Sequence, residues 1–534
     1  MRFAPILLGL LLLSLPLLGQ QKYGDIVVSL VGNEFFKKGT TNYQTCSLEV
    51  NNPSNQAHKV TLALVSNNSW SFLNKVSREI ELNPFGRGEV RLSFLSGSMD
   101  SAQVVVSVDG FRLGEPMPVS LGGTNFTTIT ALSDIDLNWD PDEMAGFLGD
   151  FELETVPARF WSNNWLNYSG YGFVYVKAET WDSFPEEVRA ALVLYVRNGG
   201  ALVFQDWPRQ FPEGLVETGE NEQGIRGGYL GFGRVMIVPG GGEPDLEMAE
   251  VIYTAGVNLL HSSRESAVDA NNHLPISDNK VPIRSFFALM LALVVVMGPL
   301  NIWYLTRRKK RILLLVTVPA IALVFSVGLF VFAFVIEGFD ASQARLSLTI
   351  LNQGSKLATT MGRHAIYSPM THSEGLHFSA ETWVMPVDRE DESHYRSLSW
   401  TNDQHLEEGW VRARIPLHLL ERHTALRRER VLFKATADDG LSVTNGLGVA
   451  IHFLRYVDTS GKVWELEAVE AGATVAAVPS SKSATELPAN FLHRLYCGEW
   501  SKEAFATVLD DGEIIAQNPE TYVAKVERNP FMME

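Results

Sequence analysis

The sequence predicts a multidomain protein, α/β plus all-β, with two transmembrane helices. Three observations predict it. Two long uncharged runs, Phe286–Leu305 and Ile312–Ile336, lie mid-chain. Short stretches alternating apolar and polar residues fill 22–125 and recur after 337. Between 126 and 283, apolar strand-like runs alternate with helical patterns. The chain has 534 residues, enough for several cores, and a mean hydropathy of +0.02, high for a water-soluble protein. A formal net charge of −17 argues against nucleic acid as a partner, since phosphate backbones demand a basic face. Two cysteines, Cys46 and Cys497, exclude a disulfide scaffold, a cysteine-rich zinc module and an iron–sulfur site.

The first element, residues 1–20, reads as a secretory signal peptide. Arg2 precedes the run Ile6–Leu13, and small Gly19 follows it. Leu17 fits the cleavage pattern poorly, so an uncleaved anchor is the alternative. No cysteine follows the run, which excludes a lipoprotein signal.

Residues 22–125 are expected to form a β-sandwich of immunoglobulin-like type. Ile26–Leu30, Val60–Val65, Glu89–Phe94 and Val104–Val108 alternate with period two, and Asn51–Asn55 is a strong turn between strands. Cys46 lies in the strand Thr45–Val50 and reads as a core residue.

Residues 126–283 are expected to form a flavodoxin-like, parallel, doubly wound α/β domain. Thr127–Leu132, Phe173–Val176, Ala201–Phe204 and Arg234–Val238 read as strands. A helix is expected over 185–197, with Ser183 as N-cap, Glu186 and Glu187 in its first turn and Gly199 just past its end. A second helix is expected over 245–260.

Residues 284–336 are expected to form a membrane hairpin with spans 286–305 and 312–336. Each is long enough for about 30 Å of hydrocarbon. Trp303 and Tyr304 suit the interface, and Arg307–Arg311 are five consecutive cations in the turn 306–311. The positive-inside rule puts that turn in the cytoplasm and both flanks outside. Gly298-Pro299 and Pro319 are expected to kink the spans. Neither span contains Asp, Glu, Lys, Arg or His, so no ion path is expected.

Residues 337–534 read as a C-terminal β-rich periplasmic domain. Leu346–Ile350, Val431–Ala435, Val449–Leu454 and Val463–Leu466 are its strands, and Asp458–Lys462 is a hairpin turn. Helices are expected over 487–495 and 502–509. A Cys46–Cys497 disulfide is chemically open in an oxidising compartment, although the two residues lie on opposite sides of the spans.

Tyr168-x-Gly170-Tyr171, Phe173–Val176, Tyr195–Gly200, Leu202–Phe204 and Gly231–Val235 resemble the class I glutamine amidotransferase-like domain. The whole chain resembles a family of bacterial membrane proteins with a signal peptide, a β-sandwich, that domain, two spans and a C-terminal exported domain. Pro299–Asn301, Tyr304-Leu305, the basic turn and Pro319 carry that resemblance. It implies an inner-membrane location and a neighbourhood of MoxR-type ATPases and von Willebrand factor A membrane proteins. The family's function is itself unassigned.

Chemistry is sparsely signalled. An amidotransferase needs a cysteine on a tight strand-to-helix turn, and 126–283 contains none. Gln205–Pro208, after one central strand, offers no serine or threonine, and no Gly-x-Ser-x-Gly elbow occurs there. The glycine-rich stretches Gly224–Gly233 and Pro239–Asp245 lack the Lys-Ser/Thr ending of a phosphate loop and read as turn geometry. Asp134, Asp136, Asp140, Asp142 and Glu143 lack the glycine and terminal glutamate of a calcium loop and read as a solvated acidic loop. Phe160, Trp161, Trp165, Tyr168 and Tyr171 read as packing, with a sugar or peptide groove as the alternative. His364, His372 and His377, with Glu374 and Glu381, do not have zinc spacing and read as exposed. Arg422, Arg427, Arg428 and Arg430 read as a solvated face with Glu421 and Glu429.

No catalytic, cofactor or metal residue is therefore assigned. The expectation is a non-catalytic inner-membrane scaffold or binding component of an envelope complex, its partners the bilayer and other envelope proteins. The alternative is an envelope enzyme or small-ligand or sugar-binding protein using a pocket of the α/β domain. Charge is sorted along the chain. Residues 22–283 carry 18 cationic and 33 anionic side chains, 337–534 carry 19 and 28, and 284–311 carry six cations and no anion.

Overall fold

The structure is a computed structural model. It describes residues 20–31, 43–67, 73–95, 99, 101–120, 129–137, 151–220, 224–238, 274, 276, 283–309, 311–337, 341–371, 374–387, 395–436, 439–483 and 518–532. The signal peptide, the turn at 239–245, the helices expected at 245–260, 487–495 and 502–509, and Asp140, Asp142, Glu143, His372 and Cys497 lie outside these residues. The described chain is mixed α/β and mostly strand, arranged in five sheets.

Eight strands open it: β1 Gln20–Tyr23, β2 Ile26–Leu30, β3 Tyr43–Asn51, β4 His58–Ser66, β5 Lys75–Leu82, β6 Arg87–Leu95, β7 Ser101–Val108 and β8 Phe111–Ser120. Strands β1-β2-β3-β6 form one antiparallel sheet, and β5-β4-β7-β8 pair antiparallel in another. Period two decides what faces inward. Cys46, Leu48 and Val50 of β3 meet Leu62, Leu64, Val104 and Val106 in one shared core, all fully or almost fully buried. Cys46 is a free thiol there, pushed up to about 12 by desolvation.

The next unit contains β9 Ile129–Ser133, β10 Phe151–Thr155, β11 Phe173–Lys177, α1 Ala178–Ser183, α2 Glu186–Arg197, β12 Ala201–Gln205, β13 Val216–Glu220, β14 Arg226–Leu230 and β15 Gly233–Val238. Its sheet runs β10-β9-β11-β12-β15-β14-β13. The first five strands are parallel, but β14 and β13 are antiparallel, so the sheet is mixed rather than wholly parallel. The apolar runs are explained by burial on both faces. Val174 and Val176 point into the core shared with β1–β8, while Phe173 and Tyr175 point into a separate cluster with Val203 and Met236.

Helix α2 forms as expected, but Ser183 does not cap it. Ser183 ends α1 and donates to the Thr180 carbonyl at 2.7 Å, and the N-cap position falls to Pro185. Gly199 leaves the helix at φ 111°, in the left-handed region that favours glycine. A Cβ on Gly233 would lie 2.1 Å from the Val196 carbonyl oxygen, so glycine there lets β15 close against the end of α2.

Two helices long and apolar enough to cross a bilayer follow. The first is α3 Ile283–Val295, a π turn Val296–Leu300, and α4 Asn301–Arg307; the second is α5 Leu314–Glu337. Pro299 lies in the π turn, which accommodates its missing N–H. Almost none of either apolar window is buried against the rest of the chain. Asn301 Nδ2 donates to Thr317 Oγ1 at 3.0 Å and ties the helices together.

The remaining strands are β16 Ser342–Asn352, β17 Leu357–Tyr367, β18 Leu376–Phe378, β19 Trp383–Pro386, β20 Ser397–Ser399, β21 Gln404–Leu406, β22 Leu417–Leu426, β23 Arg430–Ala435, β24 Leu441–Gly446, β25 Ile451–Val457, β26 Lys462–Leu466, β27 Thr474–Ser483 and β28 Thr521–Val526. Strands β16-β17-β22-β19 form one antiparallel sheet, and β23-β24-β27-β26-β25-β28 form another. The turn between β25 and β26 is closed by Asp458 Oδ1, which accepts from the backbone N–H groups of Ser460 and Lys462.

The third group does not stay on its own side. Strand β20 pairs in parallel with β5, Ser397 opposite Lys75 and Ser399 opposite Ser77. A single seven-stranded sheet, β18-β21-β20-β5-β4-β7-β8, is thus built from both flanks of the apolar helices. Side chains fasten the seam. Trp400 Nε1 donates to the Ser93 carbonyl at 2.6 Å, Tyr43 Oη to the Val384 carbonyl at 2.9 Å, and Trp165 Nε1 to the Glu381 carbonyl at 2.8 Å.

Candidate functional site

In an open α/β sheet, ligands bind beyond the carboxyl ends of the strands. Here those ends are Ser133 of β9, Lys177 of β11 and Gln205 of β12. Asp134 follows β9, and its Oδ1 accepts from the Lys177 backbone N–H at 3.2 Å. Burial raises its carboxyl above the usual aspartate range. Asp134 is thus a bonded part of the strand end, and among the described residues no group of three or more His, Cys, Asp or Glu is placed to hold a metal ion. Asp206 follows β12 at φ 70° and is exposed. A carboxylate thus occupies the turn after this central strand, and a loop, not a helix, leads from it to β13.

The aromatic cluster is packing rather than groove. Trp161, Trp165, Tyr168 and Tyr171 are buried, and each polar atom is engaged, whereas Phe160, expected to pack with them, is exposed. Trp161 Nε1 donates to the Val156 carbonyl at 2.8 Å, Tyr168 Oη to the Ser162 carbonyl at 2.6 Å and Tyr171 Oη to Glu154 at 2.5 Å. An aromatic groove does exist, elsewhere. Trp207 and Phe211, their rings 5.6 Å apart, line a cavity of about 210 Å³ with Glu217, Glu220 and Arg226. The Arg226 guanidinium lies over the Trp207 ring at 5.4 Å and pairs with Glu220 at 2.9 Å.

A convergence of ionisable groups lies on β16, β17 and β22. Register explains it. Arg345 stands opposite His364, and Gly362 opposite Glu421, so period two brings Gln343, Arg345, His364 and Glu421 to one face. His364 is buried, which corrects the expectation of an exposed histidine. Its Nδ1 lies 2.9 Å from Glu421 Oε1, both side chains being over nine-tenths buried. A carboxylate only accepts, so Nδ1 carries the proton. Arg345 Nε donates to His364 Nε2 at 3.3 Å, and Arg345 Nη2 donates to Gln343 Oε1 at 3.0 Å. These four residues form one wall of a cavity of about 360 Å³, which falls in the usual range of ligand pockets.

His377 lines the same cavity, half exposed, with Nδ1 2.9 Å from Asp403 and its ring stacked on His405 at 3.8 Å. Arg422 also departs from the expected solvated face. Its guanidinium lies over Trp383 at 4.6 Å and donates to the Asn198 carbonyl at 3.4 Å, between α2 and β22. Arg428 and Arg430 are exposed as expected. Sequence reasoning named His364 but not its partners. The usable signal was polar residues at period two in 343–345, facing a histidine in the next strand.

No family model matches the chain, and no curated protein matches it. Among solved structures, a Paenibacillus sp. cycloisomaltooligosaccharide glucanotransferase complexed with cycloisomaltoheptaose aligns at 9% identity and a TM-score of 0.14. The alignment spans 30% of this chain and 28% of that one. A superposition of that quality defines neither a shared fold nor a shared activity.

Proposed function

We propose that the protein is a non-catalytic inner-membrane scaffold or binding component of a bacterial envelope complex, with both flanks of its helical hairpin outside the cytoplasm. The observation that carries this reading is the parallel pairing of β20 with β5. Strands from residues 75–77 and 397–399 bond to each other only when both flanks lie on the same side of a bilayer. Two crossings achieve that, and one does not. The exposed apolar surface of α3–α5 then faces lipid, and Arg307 and Arg308, stacked on Trp303 and Tyr304 at 5.2 and 4.8 Å, sit at the cytoplasmic interface. On this reading β1–β8 are an immunoglobulin-like sandwich. The parallel strands, in the order 2-1-3-4-5, are a flavodoxin-like core that has lost its nucleophile.

The test is labelling of Thr306→Cys in a Cys497→Ser background with a membrane-impermeant maleimide. Reaction only after permeabilisation is expected, and reaction in intact cells sinks the topology. The scaffold role is tested by crosslinked pull-down of the full chain from membranes beside a metabolite screen on the same preparation. A small molecule that stabilises the chain when no protein copurifies favours the ligand-binding alternative, for which the Trp207 groove of the α/β unit is the place.

A further inference from the structure

The cavity over β16, β17 and β22 has two unlike walls. One is the polar row of Gln343, Arg345, His364 and Glu421, and the other is apolar, made by Ile366, Leu376, Phe378 and Val411. Within the polar row the carboxylate is already engaged, because Glu421 accepts from His364. The other polar lining is rich in donors: the Arg345 guanidinium, the Gln343 amide and the Ser342 hydroxyl. Arg345 is held in orientation by its bonds to His364 and Gln343. A pre-oriented guanidinium with neighbouring amide and hydroxyl donors suits a tetrahedral oxyanion, which a fork of N–H groups meets two oxygens at a time.

Position narrows the source. Ala341 and Ser342 line this cavity, and Ala341 lies four residues beyond Glu337, where α5 ends. Four Cα steps cover at most about 15 Å. With α5 crossing the bilayer, the cavity sits at headgroup depth, and its apolar wall suits the glycerol and first methylenes of an acyl chain. We propose that this cavity binds the phosphate of a membrane-lipid headgroup, with Arg345 meeting the phosphate oxygens. The proposal rests on the membrane reading of the hairpin.

Titration calorimetry on the full chain, in a neutral detergent free of phosphate, tests it with three probes. These are dihexanoylphosphatidylglycerol, dihexanoylglycerol and inorganic phosphate. The phospholipid is expected to bind and the diacylglycerol not to, and Arg345→Gln is expected to weaken the phospholipid by about tenfold or more. Inorganic phosphate binding as tightly as the phospholipid overturns the headgroup and leaves a free-phosphate site. Equal binding of both dihexanoyl probes, or binding of neither, overturns the phosphate altogether. Should Arg345→Gln fail to fold, the wild-type comparison of the two dihexanoyl probes decides alone. Failure of the membrane reading registers separately, as labelling of Thr306→Cys in intact cells.

Discussion

The aromatic cluster around Trp165 and the polar row around His364 are both crowded with functional-looking side chains, and they do opposite things. In the cluster each ring is buried and each polar atom is spent on a nearby or seam-crossing carbonyl or carboxylate. Such a group cements two parts of a molecule and has nothing left to offer a ligand. In the row, four polar side chains bond to one another along a sheet face and still line an open cavity. Density of aromatics or charges does not distinguish a wall from a site. What distinguishes them is whether the polar atoms face other protein atoms or a space.

The contrast can be broken most forcefully at Trp165. Trp165→Ala removes a buried indole and its bond to Glu381, and should cost about 3–5 kcal/mol in urea denaturation. A cost below about 1 kcal/mol would mean that the cluster is not cement.

The opposite face of the polar row's own sheet gives the next test. His418 is buried beside Arg363, and desolvation first, then that cation, depress it to about 4. The unfolded histidine, near 6.5, binds the proton that the folded one refuses. Stability should therefore rise with pH between about 4 and 6.5, by up to about 3 kcal/mol, and His418→Leu should flatten that slope.

Glu421→Ala leaves His364 Nδ1–H buried without its acceptor and should cost about 1–3 kcal/mol, whereas Glu421→Gln, which keeps an acceptor, should cost less. Equal losses in the two variants would show that packing, not the bond, is what matters. The smallest effect is expected at Ser183. It caps no helix, so Ser183→Ala should change the denaturation midpoint by no more than about 0.5 kcal/mol equivalent. A loss near 1 kcal/mol would restore the capping role that the sequence suggested.

Legibility in the sequence followed the range of the physics. Strands β2, β3, β4, β6 and β7 were visible because one face meets core and the other water, which writes period two into the residues. Buried runs such as Phe173–Val176 were visible through apolarity alone. Strands β13 and β14 were not. Val216–Glu220 is mostly exposed and polar, and Arg226–Leu230 has glycine at its second and third positions, so neither carries a pattern. The seam between β5 and β20 was invisible for a different reason. Pairing partners 322 residues apart leave no local trace in either segment. Glu421 escaped likewise: within Leu417–Leu426 it looks like one charge in an arginine-rich surface, and only the register with β17 reveals that it faces His364.

The same seam sets a schedule for biosynthesis. Until β20 is made, β5 is an edge strand with unpaired N–H and C=O groups. At about 5–20 residues per second, the 322 residues that separate the partners take some 16–64 s to synthesise. During that interval both apolar helices are also made, and the first flank waits with an open template for aggregation. A chaperone that shields sheet edges would be needed most in that window, and slowing elongation downstream of residue 337 should lower the yield of folded protein more than slowing it before residue 75.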